Sequence, residues 1–144
     1  MEFPFAETAL VEPAPRPNYA QVRALEAELL KHPQADCPIT HHWADGLYGR
    51  EMFAAAGTVL VGKVHRFSTI NVLLCGRIQV TDADGAVREM TAPAVYVTPP
   101  GSKKVALVLE DIRWLNVLPT KLTDLDAIEA KFIVPETPLI EDMP

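Results

Sequence analysis

The side chains best suited to chemistry in this sequence are Lys63, His65 and Lys104. Lys63 and His65 are two residues apart, so on an extended strand both point to the same face. Thr69 and Asn71 share one face of the next apolar run for the same reason. Two ammonium groups beside one imidazole repel a metal cation and favour an anion, or an ion pair with a carboxylate.

The same lysines allow a second interpretation. A lysine whose pKa is lowered by a like-charged neighbour can act as a base. A carboxylate such as Glu51 could instead pair with one of the ammonium groups, in a pocket whose polar groups satisfy each other. The sequence contains no glycine-rich phosphate loop, no G-x-S-x-G and no HExxH motif.

A second cluster consists of His41 and His42, next to Trp43 and Tyr48. Adjacent histidines in a strand face opposite ways, so both cannot easily bind one ion. One of them, with Cys37, could complete a site with His65 across space. We expect instead that both histidines belong to the turn leading into the β structure.

Composition limits the function classes. The chain has 144 residues, 49% hydrophobic and 22% charged, which predicts one globular domain. The formal net charge of −6 argues against a nucleic-acid surface, because phosphate binding needs a basic face. The sequence predicts no membrane span and no signal peptide. Cys37 and Cys75 lack CxxC spacing and are expected to be reduced thiols, with Cys75 in the core.

Glycine and proline divide the chain into four segments. Prolines predict an extended arm over residues 1–17, and a helix capped by Asn18 with its linker over residues 18–36. All seven glycines lie between Gly46 and Gly101, which predicts a turn-rich β region over residues 37–120. Asp84-Gly85 predicts a two-residue hairpin. Residues 121–144 predict a short helix capped by Thr123 and an extended tail.

The glycine spacing matches a known motif. The segment Gly57–Gly76 resembles the first motif of the cupin family, Gly-x5-His-x-His-x3-4-Glu-x6-Gly. The family's His, His and Glu positions hold Lys63, His65 and Thr69 (or Ile70 with the longer spacing). By this resemblance the fold is mainly β, a small antiparallel barrel or jelly roll with short flanking helices and extended Pro-rich termini.

Residues 93–108 resemble the second cupin motif, Gly-x5-Pro-x-Gly-x2-His-x3-Asn. Pro99 and Gly101 match, whereas Lys104 stands at the ligand His. The resemblance implies that Lys63, His65, Asn71 and Lys104 point into the barrel, where cupins bind a metal ion. Only one of the four metal-ligand positions, that of His65, keeps the family's residue, so we predict no bound cofactor. The alternative is a divalent transition metal, with His65, His41 and His42 as candidate donors.

Residues 37–133 are similar to small cupin-like proteins encoded by tailed bacteriophages and prophages, through CPITHHWADGLYGREMF and APAVYVTPPGSKKV among other landmarks. The resemblance implies the fold and a phage setting. The lost metal ligands and the Pro-rich arms favour a non-catalytic structural or accessory protein, located in the host cytoplasm during synthesis and, as a structural component, in the virion. Apolar residues between the prolines of residues 1–17 and 134–144 predict arms that dock on another subunit or phage protein. The alternative is a cupin-type enzyme or small-molecule binder that uses the barrel pocket.

Overall fold

The computed structural model describes residue 13 and residues 16–81 and 84–138. Within these ranges it contains two helices and seven strands. They are α1 Tyr19–Leu29, β1 Ile39–Ala44, β2 Leu47–Ala54, β3 Val59–Val61, β4 Thr69–Thr81, β5 Val87–Thr91, β6 Ala94–Thr98, β7 Val105–Pro119 and α2 Leu125–Phe132. No described helix is both long and apolar enough to cross a membrane.

All strand pairs are antiparallel and belong to one seven-stranded sheet in the order β1-β2-β7-β4-β5, with β3 paired to β7 and β6 paired to β4. β4 and β7 are long enough to serve two sets of neighbours. The first half of β4 pairs with β6 and the second with β5, while β7 pairs first with β3 and then with β2. The strands thus form a jelly roll, which confirms the predicted fold class.

The sheet bends at Gly76 in the middle of β4. The β4–β7 register shifts between Leu73 and Ile78, and Gly76 has a φ of 82°. A Cβ atom at Gly76 would clash with the backbone carbonyl oxygen of Asp111. Only glycine allows this close approach of two backbones, so the last glycine of the first motif lets β4 turn from one half of the roll to the other.

Two apolar clusters fill the roll. The larger joins both halves and contains Ala54, Leu73, Ile78, Val80, Tyr96, Ala106, Val108, Ile112 and Trp114. The smaller consists of Tyr48 from β2 with Ile128 and Phe132 from α2. Ile128 and Phe132 are each 4% exposed, so α2 packs its apolar face over one end of the roll.

A buried lysine joins both ends of the described chain to the barrel. The side chain of Lys103 is 2% exposed, and its Nζ atom lies 2.8 Å from Glu136, 3.2 Å from Glu26 and 2.8 Å from the carbonyl oxygen of Gly62. Glu26 belongs to α1 and Glu136 to the tail after α2. Arg23 also contacts both carboxylates. The described part of the tail, residues 134–138, therefore lies on its own barrel.

Several local predictions need correction. Asn18 occupies the N-cap position of α1, but its side chain makes no capping hydrogen bond there. Asp124 rather than Thr123 caps α2, accepting from the Ala127 amide at 3.0 Å. Thr81 pairs with Val87, so the hairpin at Gly85 has a connection longer than two residues. Cys75 is exposed rather than a core residue, because the β4 irregularity turns it outward. Most of both predicted arms, residues 1–12, 14–15 and 139–144, lies outside the described residues.

Candidate functional site

The inner face of β4 carries the centre of the site. Thr69, Asn71 and Leu73 alternate inward with 5%, 0% and 1% exposure. The Oδ1 atom of Asn71 accepts hydrogen bonds from the Lys104 ammonium at 2.8 Å, Asn116 Nδ2 at 2.7 Å and Trp114 Nε1 at 3.3 Å. Its Nδ2 atom donates to the carbonyl oxygen of Tyr96 at 2.9 Å. Asn71 thus organises β4, β6 and β7 around one amide.

Lys104 lies on the inner wall, at the end of the Pro99–Gly101 turn and just before β7. Its Nζ atom lies 5.2 Å from the centre of the Trp114 ring, which favours a cation over the aromatic face. Burial lowers the pKa of Lys104 from 10.5 to about 8. The cause is desolvation rather than a like-charged neighbour, which corrects the sequence-based argument.

His65 lies between β3 and β4 and pairs through its backbone with Ile133. Burial lowers its pKa from 6.5 to about 4, helped by the positive charges of Lys104 and Arg50. Its Nδ1 atom lies 3.0 Å from the Thr69 hydroxyl, which also lies 3.2 Å from the Phe67 carbonyl oxygen. When the Thr69 hydroxyl donates to the Phe67 carbonyl oxygen, it accepts from His65, so Nδ1 carries the ring proton and Nε2 carries the lone pair. His65 is therefore a neutral hydrogen-bonding group at neutral pH.

Lys63 is not beside His65 in the interior, as the alternation predicted. The strand β3 ends at Val61, so the period of two no longer holds at residue 63. The Lys63 side chain is 62% exposed at the mouth of the cavity and forms an ion pair with Glu129 of α2. Lys63 therefore contributes to the rim and to the attachment of α2.

His41 and His42 face opposite sides of β1, as adjacent strand residues must. They lie in a strand rather than in a turn. His41 Nδ1 lies 2.6 Å from the Tyr48 hydroxyl, on the cavity side. His42 lies outside, with Nε2 3.1 Å from Glu51. Glu51 also pairs with Arg113, so it does not neutralise either candidate lysine.

Of the predicted pocket residues, Lys63, His65 and Lys104 line a cavity of about 570 Å³, whereas the buried Thr69 and Asn71 do not line it. Its mouth is formed by Lys63 and by Leu125, Asp126 and Glu129 of α2. Lys104 and His65 supply polar groups farther in, whereas Arg50 and His41 line the cavity as exposed residues. The apolar wall includes Ile39, Met52, Leu60, Ile78, Val80, Ala106, Trp114 and Leu118.

The residues present do not fit a divalent transition metal. Of the four positions that hold ligands in the motif, only His65 offers a good donor. Lys104 is bonded to Asn71, Lys63 is paired with Glu129, and Thr69 bonds His65. Across the part of the chain that the structure describes, no three His, Cys, Asp or Glu side chains come together as a metal-binding group. Cys37 packs against the larger core cluster and does not line the cavity.

The sequence-based interpretation missed Arg50, Trp114 and Asn116. The register aligns Arg50 with Asn116 across β2 and β7, and Asn116 with Asn71 across β7 and β4. These residues lie far apart in sequence, so only strand pairing brings them together. One available signal was the alternation of Tyr48 and Arg50 with glycine between them, which places both on the cavity side of β2.

Comparison with known proteins agrees with this architecture. No family model matches the chain, and no curated relative matches its sequence. Solved structures do match. A cupin superfamily protein from Desulfitobacterium hafniense superposes with a TM-score of 0.51 at 14% identity, covering 65% of this chain and 86% of its own.

Two further structures are similar. A Klebsiella pneumoniae protein with a double-stranded β-helix domain gives a TM-score of 0.51 at 14% identity, covering 65% of this chain and 85% of its own. A putative ethanolamine utilization protein Q from Salmonella typhimurium gives a TM-score of 0.51 at 16% identity, covering 61% of this chain and 72% of its own. At such identities the likeness shows the fold alone. The chain therefore has the cupin fold.

Proposed function

We propose that this protein binds a small organic anion with an apolar body in its barrel cavity, without using a bound metal ion. The observation that carries the proposal is Lys104, a partly buried lysine on the wall of a 570 Å³ cavity whose hydrogen-bond acceptor, Asn71, is a neutral amide. This volume lies within the usual range of small-molecule sites. Removing a charge from water costs free energy, and an anionic ligand would offset part of that cost.

The distribution of charge supports an anion. The less exposed polar groups that line the cavity are Lys104 and the neutral His65. Arg50 also lines the cavity but is exposed, and both cations lower the pKa of His65. The carboxylates that line it, Asp126 and Glu129, belong to α2 at the mouth. A ligand carboxylate beside Lys104 would therefore meet a positive charge that is partly desolvated, where attraction is stronger than at the surface.

The walls support an apolar ligand body. Aliphatic side chains from β1, β2, β3, β4 and β7 surround the polar groups, and the Trp114 ring lies among them. Burial of an apolar group releases about 25 cal/mol per Å² of surface. An arylalkyl carboxylate, with one charged end and one apolar end, matches both features.

Calorimetric titration with 3-phenylpropanoate tests the proposal. We expect saturable binding with one site, and at least a tenfold loss of affinity in Lys104→Met, since a charge-assisted hydrogen bond is lost. Lys31→Met is the matched control, because Lys31 pairs with Glu28 on α1, outside the cavity. Absence of binding at millimolar ligand, or equal affinity in the two variants, would reject the proposal.

The sequence resemblance supports a separate proposal about setting: a structural or accessory component of a tailed bacteriophage, acting as a homo-oligomer or with phage proteins through its arms. The described residues 134–138 contact their own barrel, so any docking falls to the arm residues outside the described part. We expect deletion of residues 1–12 to lower the mass in solution while the barrel stays folded. A full-length monomer in sedimentation would reject this proposal.

A further inference from the structure

Lys104 differs from the nearby Lys63 and Lys103 in the chemical type of its hydrogen-bond partner. Lys103 contacts two carboxylates, and Lys63 pairs with Glu129. The Nζ atom of Lys104 bonds the amide oxygen of Asn71, and no described carboxylate pairs with it. The same oxygen already accepts from Trp114 and Asn116. Lys104 is thus a fixed amine that faces a ligand cavity without a counter-ion among the described residues.

We infer that Lys104 forms a covalent imine with the carbonyl carbon of its ligand, and that the ligands are 2-oxo acids with an apolar body. The inference rests on the proposed function, because the ligand must first bind in the cavity as an anion. It adds a reactive group to that site and narrows the ligand class to compounds with a carbonyl next to the carboxylate.

The surroundings of the amine favour its nucleophilic form. Burial lowers the pKa of Lys104 to about 8, so about half of the amine is neutral at pH 8, against well under 1% for an ordinary lysine. Asn71 accepts one N–H and leaves the nitrogen lone pair available. A carboxylate at that place would hold the proton on the amine instead.

The strand register supplies a partner for the carboxylate of the 2-oxo acid. Arg50, Asn116 and Asn71 are aligned across β2, β7 and β4, and Arg50 and Lys104 line the same cavity. Neighbouring strands are about 4.8 Å apart, so the Arg50 backbone lies roughly 10 Å from that of Asn71. Arg50 is exposed where it lines the cavity, and an arginine side chain is long enough to cross much of this gap and bind a carboxylate through two N–H groups.

The reaction needs no oxidant or metal. The Lys104 lone pair attacks the carbonyl carbon, a C–N bond forms, and the carbonyl π electrons move to oxygen. A proton passes from nitrogen to that oxygen to give a carbinolamine. The C–O bond then breaks, the hydroxyl leaves as water with one added proton, and the nitrogen lone pair forms C=N. Overall, amine and ketone give imine and water, with protons exchanged through water at the mouth of the cavity.

Reductive trapping tests the inference. The full-length protein is incubated at pH 8 with cyanoborohydride and either phenylpyruvate or 3-phenylpropanoate, which share the phenyl body and carboxylate but differ in the carbonyl. With phenylpyruvate we expect one reduced adduct in the intact mass, and peptide mapping should place it on Lys104. With 3-phenylpropanoate we expect no adduct. Lys104→Met should lose the adduct, and Lys31→Met, outside the cavity, should keep it.

The outcomes separate the two proposals. Binding of 3-phenylpropanoate without a phenylpyruvate adduct on Lys104 would overturn the imine and leave anion binding intact. Absence of both would overturn both. An adduct spread over surface lysines would also overturn the imine. Mapping of the unsubstituted protein gives this answer even if Lys104→Met misfolds, and Lys104→Arg, which keeps the charge, provides a second variant expected to lose the adduct.

Discussion

The Nζ atom of Lys104 lies 2.8 Å from Oδ1 of Asn71, so this buried amine is held by a neutral acceptor. Asn71→Asp keeps the shape of the side chain and adds a negative charge. We expect the pKa of Lys104 to rise from about 8, and phenylpyruvate trapping at pH 8 to fall at least tenfold. The pH dependence of the trapping rate measures this shift.

Trp114→Phe is the control for the Asn71 variant, because it removes one donor to the same oxygen and adds no charge. Because phenylalanine keeps an aromatic ring beside Lys104, we expect the midpoint of its trapping profile to shift far less than in Asn71→Asp. If the pH midpoint of trapping is unchanged in Asn71→Asp, the Asn71 amide does not set the protonation state of Lys104.

The second prediction concerns acid stability. The pKa of His65 is about 4 in the folded protein and 6.5 when unperturbed, so the unfolded chain binds more protons between these values. Stability contributed by neutral His65 is therefore present above about pH 6.5 and is lost as pH falls toward 4. The expected loss is roughly 3 kcal/mol. Urea unfolding at several pH values should show that the unfolding free energy depends less on pH in His65→Gln than in the unsubstituted protein. An equal pH dependence in both proteins would contradict the lowered pKa of His65.

The third prediction concerns Gly76. Its φ of 82°, and the clash that a Cβ atom there would make with the Asp111 carbonyl oxygen, predict that Gly76→Ala loses roughly 3 kcal/mol or more in unfolding free energy. Gly46→Ala is the matched control, since Gly46 has a φ of 76° with nothing within 4 Å of a Cβ position. It should lose about 1 kcal/mol through backbone strain alone. If the two variants lost similar unfolding free energy, β4 would not need the close approach of Gly76 to the Asp111 backbone.

The fourth prediction concerns Lys103. Replacing it with Met leaves Glu26 and Glu136 with Arg23 as their remaining cation, and should cost roughly 2–4 kcal/mol. The same replacement at the exposed Lys31 should cost at most about 0.5 kcal/mol. Thermal and urea unfolding would measure both, and equal stability of the two variants would contradict a structural role for the buried lysine.

The fifth prediction concerns metal content. With Lys63, Thr69 and Lys104 at three of the four ligand positions, we expect substoichiometric zinc, iron, manganese and nickel in protein purified without a histidine tag. Elemental analysis measures this directly. Stoichiometric metal that disappears in His65→Ala would contradict the prediction and favour the enzyme alternative.

Much of the architecture could be predicted from the sequence, because period-two alternation and turn glycines are local signals. Alternation predicts that Thr69 and Asn71 lie inside the roll, and both are buried there. The motif glycines Gly57 and Gly76 both have a positive φ, as turn glycines often do. The predicted position of Lys63 is wrong because alternation holds only within a strand, and β3 ends at Val61.

The polar centre could be predicted only in part. The motif spacing identifies His65 and Lys104, but their partners come from other strands. Asn71 meets Asn116 and Trp114 through the β4–β7 register, which is set by the bend at Gly76 rather than by any local pattern. The pairing of Lys63 with Glu129 depends on where α2 packs, and no spacing in the sequence fixes that.

Lys103 and Lys104 are consecutive, yet one joins the two ends of the described chain and the other faces the cavity. A fusion partner or affinity tag that pulls on α1 or on residues 134–138 therefore acts one peptide unit away from the cavity amine. Binding measurements made with tags at opposite ends should be compared before any affinity is assigned to the native protein.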